Sequence, residues 1–542
     1  MELHNFTTNK RNTMNAFISL FASMIAGSLH GYDRVVFRGH LRQLSYAGGM
    51  RSYLWANQVL LRDFQTHVQG KTAELLQASL AEAERKKRPI LYLPSSGTDK
   101  EALARKIMTE DRVRAGLIGV FKCVEPGFTY EVHGNRATKK LQLTGKQGRC
   151  LHVYHYYVHP TFGFMYARLQ TWFPFAVQIG INGREWLARQ MSAAGLKYQR
   201  RRNKFSWLED FTKAQDFLDR QVQTDWPAAL NAILQQIHPA HPQILGRMPL
   251  AYYWSVFQSE WASDYLFRRR ADLERLYPQW LRHALLTYKS AEVMRFLGRT
   301  VPLSSQMNRN MTKTEVTTNL KKREEGVCLK HWVDGNSIKM YDALFADSAN
   351  LRIETTINAP ADFKVYRTKE NDPAGPKDWR PMRMGVVDMP QRAEQSQAAN
   401  ERYAAALTVV QDKTALKEWS EPWCRRVQAL GKTQRTERGL NPLAASDAAL
   451  LAAVVDPKFA VTGLRNRDLV ATLHEKPASD DKERRQRSAW VTRQIRMLRA
   501  HGILLKQEKS HRYHLNPDAR LPILALLTAR DANADELTKK AA

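Results

Sequence analysis

Residues 151–182 read LHVYHYYVHPTFGFMYARLQTWFPFAVQIGIN. Aromatic and β-branched residues dominate short runs here, and turn residues separate the runs. The pattern extends back through LIGVFKCVE, FTYEVHGN and KKLQLT, with turns read at His133-Gly134-Asn135 and Gly145-Lys146. Such a succession predicts an antiparallel β-meander of five or six strands over 116–182. A helix follows from Gly183 (REWLARQMSAAG), so 116–207 reads as a meander plus helix. Upstream, a short strand at Arg34–Phe37, a helix over 50–87, a strand at Pro89–Leu93 and the helix DKEALARKIM make 1–115 an N-terminal α/β region.

Downstream of the meander, residues 208–300 read as helical. Repeated aromatics (Tyr252, Tyr253, Trp254, Phe257, Trp261) fall inside that stretch, and Asp264 is placed on a solvated helix face. A second β element follows: SIKMYDAL pairs with NLRIETTIN as a hairpin over 337–358, which closes a region spanning 208–367. Residues 368–445 read as linkers and helices, with the linkers TKENDPAGPKDWRPMRMG and GKTQRTERGLNP rich in Pro, Gly and charge. The expected fold is α+β and multidomain: N-terminal α/β, antiparallel β-meander, helical middle, second β hairpin and a C-terminal module over 446–530.

That module carries the most specific pattern. RRQRSAWVTRQIRMLRAHG ends at Gly502 and leads into ILLKQEKSHRYHL. Val491, Ile495 and Leu498 stand at i, i+4 and i+7 and predict one buried stripe. At 100° per residue, Arg485, Arg493 and Arg496 fall on the opposite side. The order of helix, helix, helix, hairpin and helix resembles a winged helix-turn-helix of the kind found in MarR-like regulators. The resemblance implies that the third helix enters the major groove and that the wing touches the backbone or minor groove. It implies DNA contacts from Arg485, Arg493 and Arg496, and from Lys509, His511 and Arg512 on the wing. From Arg484 to Arg520 there are ten Lys/Arg and two acids, 10 − 2 = +8.

The whole chain is basic as well: 83 Lys/Arg against 53 Asp/Glu give +30 over 542 residues. A charge of that size attracts polyanions, so nucleic acid leads as partner class, DNA ahead of RNA, with an anionic membrane surface second. Apolar residues at 43% exclude global disorder. Cys123, Cys150, Cys328 and Cys424 form no CxxC pair, which excludes a Cys-rich zinc finger and fits a reducing, cytoplasmic setting. Lys10 and Arg11 before the uncharged stretch Met14–Leu29 imitate a secretory leader. However, Phe17, Leu20, Phe21, Met24 and Ile25 recur at helical spacing and predict a buried first helix instead. No segment has the length and apolarity of a membrane span.

Two constellations bear chemistry. On a strand, His155, Tyr157 and His159 share a face, so the two histidines are candidate ligands for a divalent metal beside a phenol. The arrangement resembles rolling-circle replication initiators and relaxases, whose motif is His-apolar-His. Here the same-face histidines are four residues apart, about 13 Å along a strand. The alternative is a sheet face of stacked aromatics; Tyr154, Tyr156, Tyr157, Phe164, Tyr166, Trp172 and Phe173 interleave with Arg168, Lys139 and Lys140 and either stack unpaired bases or fill the core against the following helix. In the second constellation, alternation puts Lys339, Tyr341, Arg352 and Glu354 on one side of the 337–358 hairpin, where they meet across the strands. It is similar to a stretch in some replication initiators, which implies Glu354 as metal ligand or base and Tyr341 as nucleophile, with Tyr366 as its rival. A cross-strand salt-bridge ladder is the alternative. No GxSxG, HExxH, P-loop or Rossmann fingerprint occurs. An RNase H-like carboxylate set needs no local motif and stays open.

Together these readings point to a DNA-binding protein of replication-initiator or transposition-like character, using a divalent metal if it cleaves strands. A non-catalytic transcriptional regulator and an RNA-binding protein that holds a structured RNA are the alternatives.

Overall fold

The computed structural model describes residues 16–532 apart from 239–247, 249, 300–314, 324–325, 370–371, 373, 412–414, 429–435, 461, 475 and 509. The fold is α+β. Its strands are β1 (Ile25–Leu41), β2 (Ile90–Leu93), β3 (Gly116–Asn135), β4 (Lys140–His159), β5 (Gly163–Gln170), β6 (Val177–Asn182), β7 (Tyr198–Arg201), β8 (Lys204–Leu208), β9 (Tyr252–Phe267), β10 (Thr317–Arg323), β11 (Gly326–Val333), β12 (Asn336–Leu344) and β13 (Ala349–Ile357). Eleven of them form one sheet in the order β10-β11-β12-β13-β9-β1-β6-β5-β4-β3-β2, while β7 and β8 form a separate hairpin. All neighbours in the large sheet are antiparallel except β2 and β3.

The meander and the second hairpin are therefore parts of one sheet rather than of separate regions, joined through the central pair β1 and β9. Residues 252–267 were expected in a helix and form β9 instead. The cause is visible in its second half: Trp261, Ser263, Tyr265 and Phe267 alternate with Glu260, Ala262, Asp264 and Leu266. That period of two, added to the strand preference of aromatics, outweighs their loose helical spacing. Likewise the expected first helix is only Ala16–Leu20, because Gly27 and Gly31 admit close approach of the helix Phe211–Val222 to an extended strand. A Cβ on Gly27 would lie 2.4 Å from the Phe211 ring, and one on Gly31 2.8 Å from Leu218. Lys10, Arg11 and Met14 lie outside the described residues. The meander has four strands, not five or six, since Gly145-Lys146 continues β4 and the turn falls at 136–139. Asp378–Pro381, inside the first linker, forms a short hairpin with Lys364–Arg367 just before it.

Two layers of helix cover the sheet. On one face the helices Arg270–Thr287, Ser290–Leu297 and Met389–Leu407 pack on Tyr265, Ile338, Met340, Leu351 and Ile353. Ala47–Ala56, Phe64–Arg85 and Trp226–Ile237 continue that layer over Val120, Ala167 and Ile179. On the other face Lys100–Glu110 covers Phe121, Tyr154 and Tyr156. Gly183–Ala193, Phe211–Val222 and the β7–β8 hairpin cover the region around β1, β9 and β13.

The C-terminal part follows the expected order: helices Ala445–Val455, Asn466–Leu473 and Asp481–Ala500, strands Leu504–Lys506 and Tyr513–Leu515, then helix Pro517–Asp531. Leu464 bridges to Tyr513, adding a third short strand segment. Gly502 adopts φ +70° and ends the long helix, as a left-handed C-cap does. Val491, Ile495 and Leu498 are buried in a core with Leu451, Leu469 and Ile523. Arg520 joins the module to the sheet body through Glu292 at 3.2 Å. Among the described residues, no helix is long and apolar enough to cross a membrane.

A candidate active site in a buried charge cluster

The predicted cross-strand set forms as the register demands: Lys339 lies opposite Glu354 and Tyr341 opposite Arg352. Lys339 Nζ is 2.6 Å from Glu354 Oε1. The Tyr341 hydroxyl donates to Glu354 Oε2 at 3.1 Å. Three neighbouring elements complete a cluster that the hairpin alone does not reveal. From β9, Asp264 takes both Arg352 Nε (2.5 Å) and Nη2 (2.9 Å). From β1, Asp33 accepts from Arg352 Nη1 at 2.9 Å and from Asn203 Nδ2 at 2.5 Å. Asp33 sits at a break in the β1–β9 register, between the pairs Tyr32–Trp261 and Arg34–Glu260. From the start of the helix Gly183–Ala193, fully buried Arg184 lies 2.7 Å from Asp264. The turn of β7–β8 closes the cluster: the Asn203 carbonyl accepts from Arg352 Nη2 at 2.7 Å, and Lys204 Nζ stands 4.3 Å from the Tyr341 ring centre.

Ligand atoms of Asp33, Glu260 and Glu354, on three adjacent strands, lie within 4.8 Å of one another. Among the described residues this is the group that has the geometry to hold a metal ion. Their protonation differs sharply. Burial, then the charges of Glu354 and Asp33, push Glu260 up to about 7. Asp33 is raised chiefly by burial. Burial also works against Glu354 and Asp264, but Lys339 and Arg352 outweigh it at Glu354, and Arg352 and Arg184 outweigh it at Asp264, so both are lowered. Lys339 is raised: its two glutamates overcome burial. A divalent ion would have to displace the Lys339 ammonium from Glu354.

Several expectations are corrected. Asp264 is not on a solvated helix face but buried in the cluster. Tyr341 is 8% exposed, its hydroxyl directed at Glu354 and its ring under Lys204, so its oxygen is enclosed and does not suit a nucleophile for a phosphodiester. Tyr366 is exposed but lies on the separate hairpin, against Trp379. His155 is fully buried beneath Phe64–Arg85, both ring nitrogens lack a hydrogen-bond partner, and burial lowers it to about 3. His159 instead accepts from Thr161 and Phe162 N–H groups at the following turn. The two histidines share a strand face but meet at no metal-capable group. Tyr154, Tyr156 and Phe164 are buried on one face of the sheet and Tyr157 and Phe173 in the core on the other, so these aromatics are core and not a base-stacking platform.

In the C-terminal module Arg485 and Arg493 are exposed and His511 is exposed. Arg496 is not: its Nε donates to Glu437 at 2.7 Å, on the segment just before the module. Arg512 donates to the Thr462 carbonyl at 3.0 Å. Lys509 lies outside the described residues. Sequence reasoning missed Asp33, Glu260, Arg184 and Asn203; only the alternation in β9 carried a local signal, and it marks Glu260 and Asp264 alone. No protein-family model, curated protein or solved structure matches this chain.

Two outcomes are expected. Arg352→Met leaves Asp33 and Asp264 buried without their shared partner, which costs about 3–5 kcal/mol in urea unfolding; a loss under about 1 kcal/mol contradicts the account. Glu260, ordinarily near 4.5, keeps its proton in the folded chain up to about pH 7. Between those values the folded state binds more protons than the unfolded, so this contribution is full below 4.5 and is lost as pH rises to 7. Asp33 acts in the same sense, Glu354 and Asp264 in the opposite one. Glu260→Gln should therefore make the urea midpoint fall less across that window than in the parent; an unchanged slope contradicts the assignment.

Proposed function

We propose that this chain is a nucleic-acid-binding protein that holds duplex DNA through its C-terminal module, read as a winged helix-turn-helix. One observation carries the reading. The helix Asp481–Ala500 buries Val491, Ile495 and Leu498, while Arg485 and Arg493 stand exposed on it without an acidic partner among the described residues. Arginines displayed on an outward helix suit phosphate and base-edge contacts. Lys506 and Arg467 are exposed on the adjoining strand and helix and extend the basic surface. Among the described residues no disulfide joins the four cysteines, which fits a reducing, cytoplasmic setting. Affinity for duplex DNA should fall steeply between about 50 and 200 mM salt. In Arg485→Ala/Arg493→Ala it should drop by roughly 1–3 kcal/mol per base-reading arginine, measured by fluorescence anisotropy. Unchanged duplex binding in the double variant would remove this helix from the interface.

The carboxylate trio favours a second role for the same protein: divalent-cation-dependent strand cleavage, as in a replication-initiator or transposition-like protein. In this reading Asp33, Glu260 and Glu354 would hold the cation, which would supply an activated water for attack on the phosphodiester. Lys339 competes with the metal here. Lys339→Met should therefore tighten Mn²⁺ binding, while Glu354→Gln should abolish it, both read by calorimetry on chains whose circular dichroism is unchanged. Equal or absent Mn²⁺ binding in parent and Lys339→Met would leave the cluster a structural ion network, and the protein a non-catalytic binder such as a transcriptional regulator.

A further inference from the structure

Two arginine triplets far apart in sequence, Arg200-Arg201-Arg202 and Arg268-Arg269-Arg270, come together at one end of the sheet. The β12–β13 turn lies between them. Ser348 Oγ donates to the Ser206 carbonyl of β8 at 2.8 Å. On its other side, Arg270 donates from its backbone N–H to the Asp347 carbonyl and from Nη1 to the Phe345 carbonyl, each at 3.3 Å. A cavity of about 50 Å³ separates Arg201–Lys204 from Ala343–Phe345. Arg201, Arg202 and Arg268–Arg270 are all exposed.

The hairpin register sorts the side chains. Arg201 pairs with Lys204 and Gln199 with Trp207, which places Arg201 and Trp207 on one face of β7–β8. Trp207 is 44% exposed, a large aromatic open to solvent on part of its surface. Some of the cations are already engaged: Arg269 with Asp272 at 2.9 Å, Arg270 with Glu274 at 2.8 Å, Arg200 with Glu185 at 3.1 Å. Arg201 and Arg268 have no acidic partner among the described residues.

We infer that this surface is a second nucleic-acid site, separate from the C-terminal module, and that it takes an unpaired strand. Arg201 and Arg268 would track the phosphates, and Trp207 would stack on a base. Arginines around an exposed aromatic are the pairing that single strands use, since every base offers a π-face and every linkage a charge. A duplex would offer only its backbone to Trp207, because its bases are stacked on one another. The same turn also reaches the charge cluster: Asn203, next to Arg202, holds Asp33. A strand on this surface would therefore lie over the turn whose Asn203 holds Asp33.

The test uses the full chain and labelled oligothymidylate and oligouridylate of about 16 nucleotides, read by fluorescence anisotropy beside a duplex of mixed sequence. Arg201→Gln/Arg268→Gln should weaken single-strand binding about tenfold or more and flatten its salt slope by about 1.4, the value for two phosphates on a single strand. Trp207→Ala should weaken it about 5- to 150-fold, the range for one lost stack, and Trp207→Phe should restore most of that loss. Arg485→Ala/Arg493→Ala should lower duplex affinity and leave oligothymidylate affinity unchanged. A preference between the two oligonucleotides identifies DNA or RNA as the strand held. The inference is overturned if the hairpin variants bind single strands as the parent does, or if only the Arg485/Arg493 variant loses them. Failure of duplex binding alone would overturn the C-terminal reading and leave this one standing.

Discussion

The guanidinium of Arg352 fixes the centre of this protein. It is fully buried, and its N–H groups reach Asp264 on β9, Asp33 on β1 and the Asn203 carbonyl of the β7–β8 turn. A buried charge is tolerable only when almost every donor finds an acceptor, because its desolvation costs several kcal/mol. Three segments besides its own strand must therefore arrive together. A slip of one residue in β13 would send Arg352 into the apolar layer of Tyr265, Met340 and Ile353. The ion network thus specifies register across β13, β9 and β1, where hydrophobic burial on the other face also acts. The break in the β1–β9 register has its reason here as well, since it brings Asp33 to the cluster.

How much of this was legible depends on distance along the chain. The 337–358 hairpin was readable because alternation is local, and its register put Lys339 and Tyr341 opposite Glu354 and Arg352 as expected. The rest of the cluster was not, because Asp264 and Asp33 lie 88 and 319 residues before Arg352. No periodicity links such positions; only the strand order β13-β9-β1 does. The C-terminal module was legible for the converse reason. Its elements are contiguous and bury their own core, so the stripe of Val491, Ile495 and Leu498 decided the helix face. Even there, Arg496 was misjudged, because Glu437 precedes the pattern that defines the module. His155 shows a third kind of limit. Alternation placed it correctly with Tyr157 and His159, but nothing local says that the helix Phe64–Arg85 covers that face.

A few acids of this basic chain are buried beside cations of their own. Asp33, Asp264 and Glu354 are buried among Arg184, Arg352 and Lys339, and so offset no charge at the surface. Three acids and three cations cancel there, so the excess of +30 is left to the rest of the chain and its exterior. Long-range attraction for polyanions depends on that exterior and not on the sum over the chain.

Inside the cluster, Lys339 holds a carboxylate oxygen of Glu354 that a metal ion would need. It contributes one positive charge against Glu354 and Glu260, with Asp33 close by and already bound to Arg352. One ammonium does not balance both glutamates, and the remainder is met by a proton: Glu260 keeps its own up to about pH 7. A divalent cation carries the missing charge and would release that proton, whereas the ammonium retains it. The protonation of Glu260 and the occupant of the trio are therefore one equilibrium. Once ionised, Glu260 adds a negative charge beside Glu354 and Asp33, which a divalent cation would balance and the lysine alone does not.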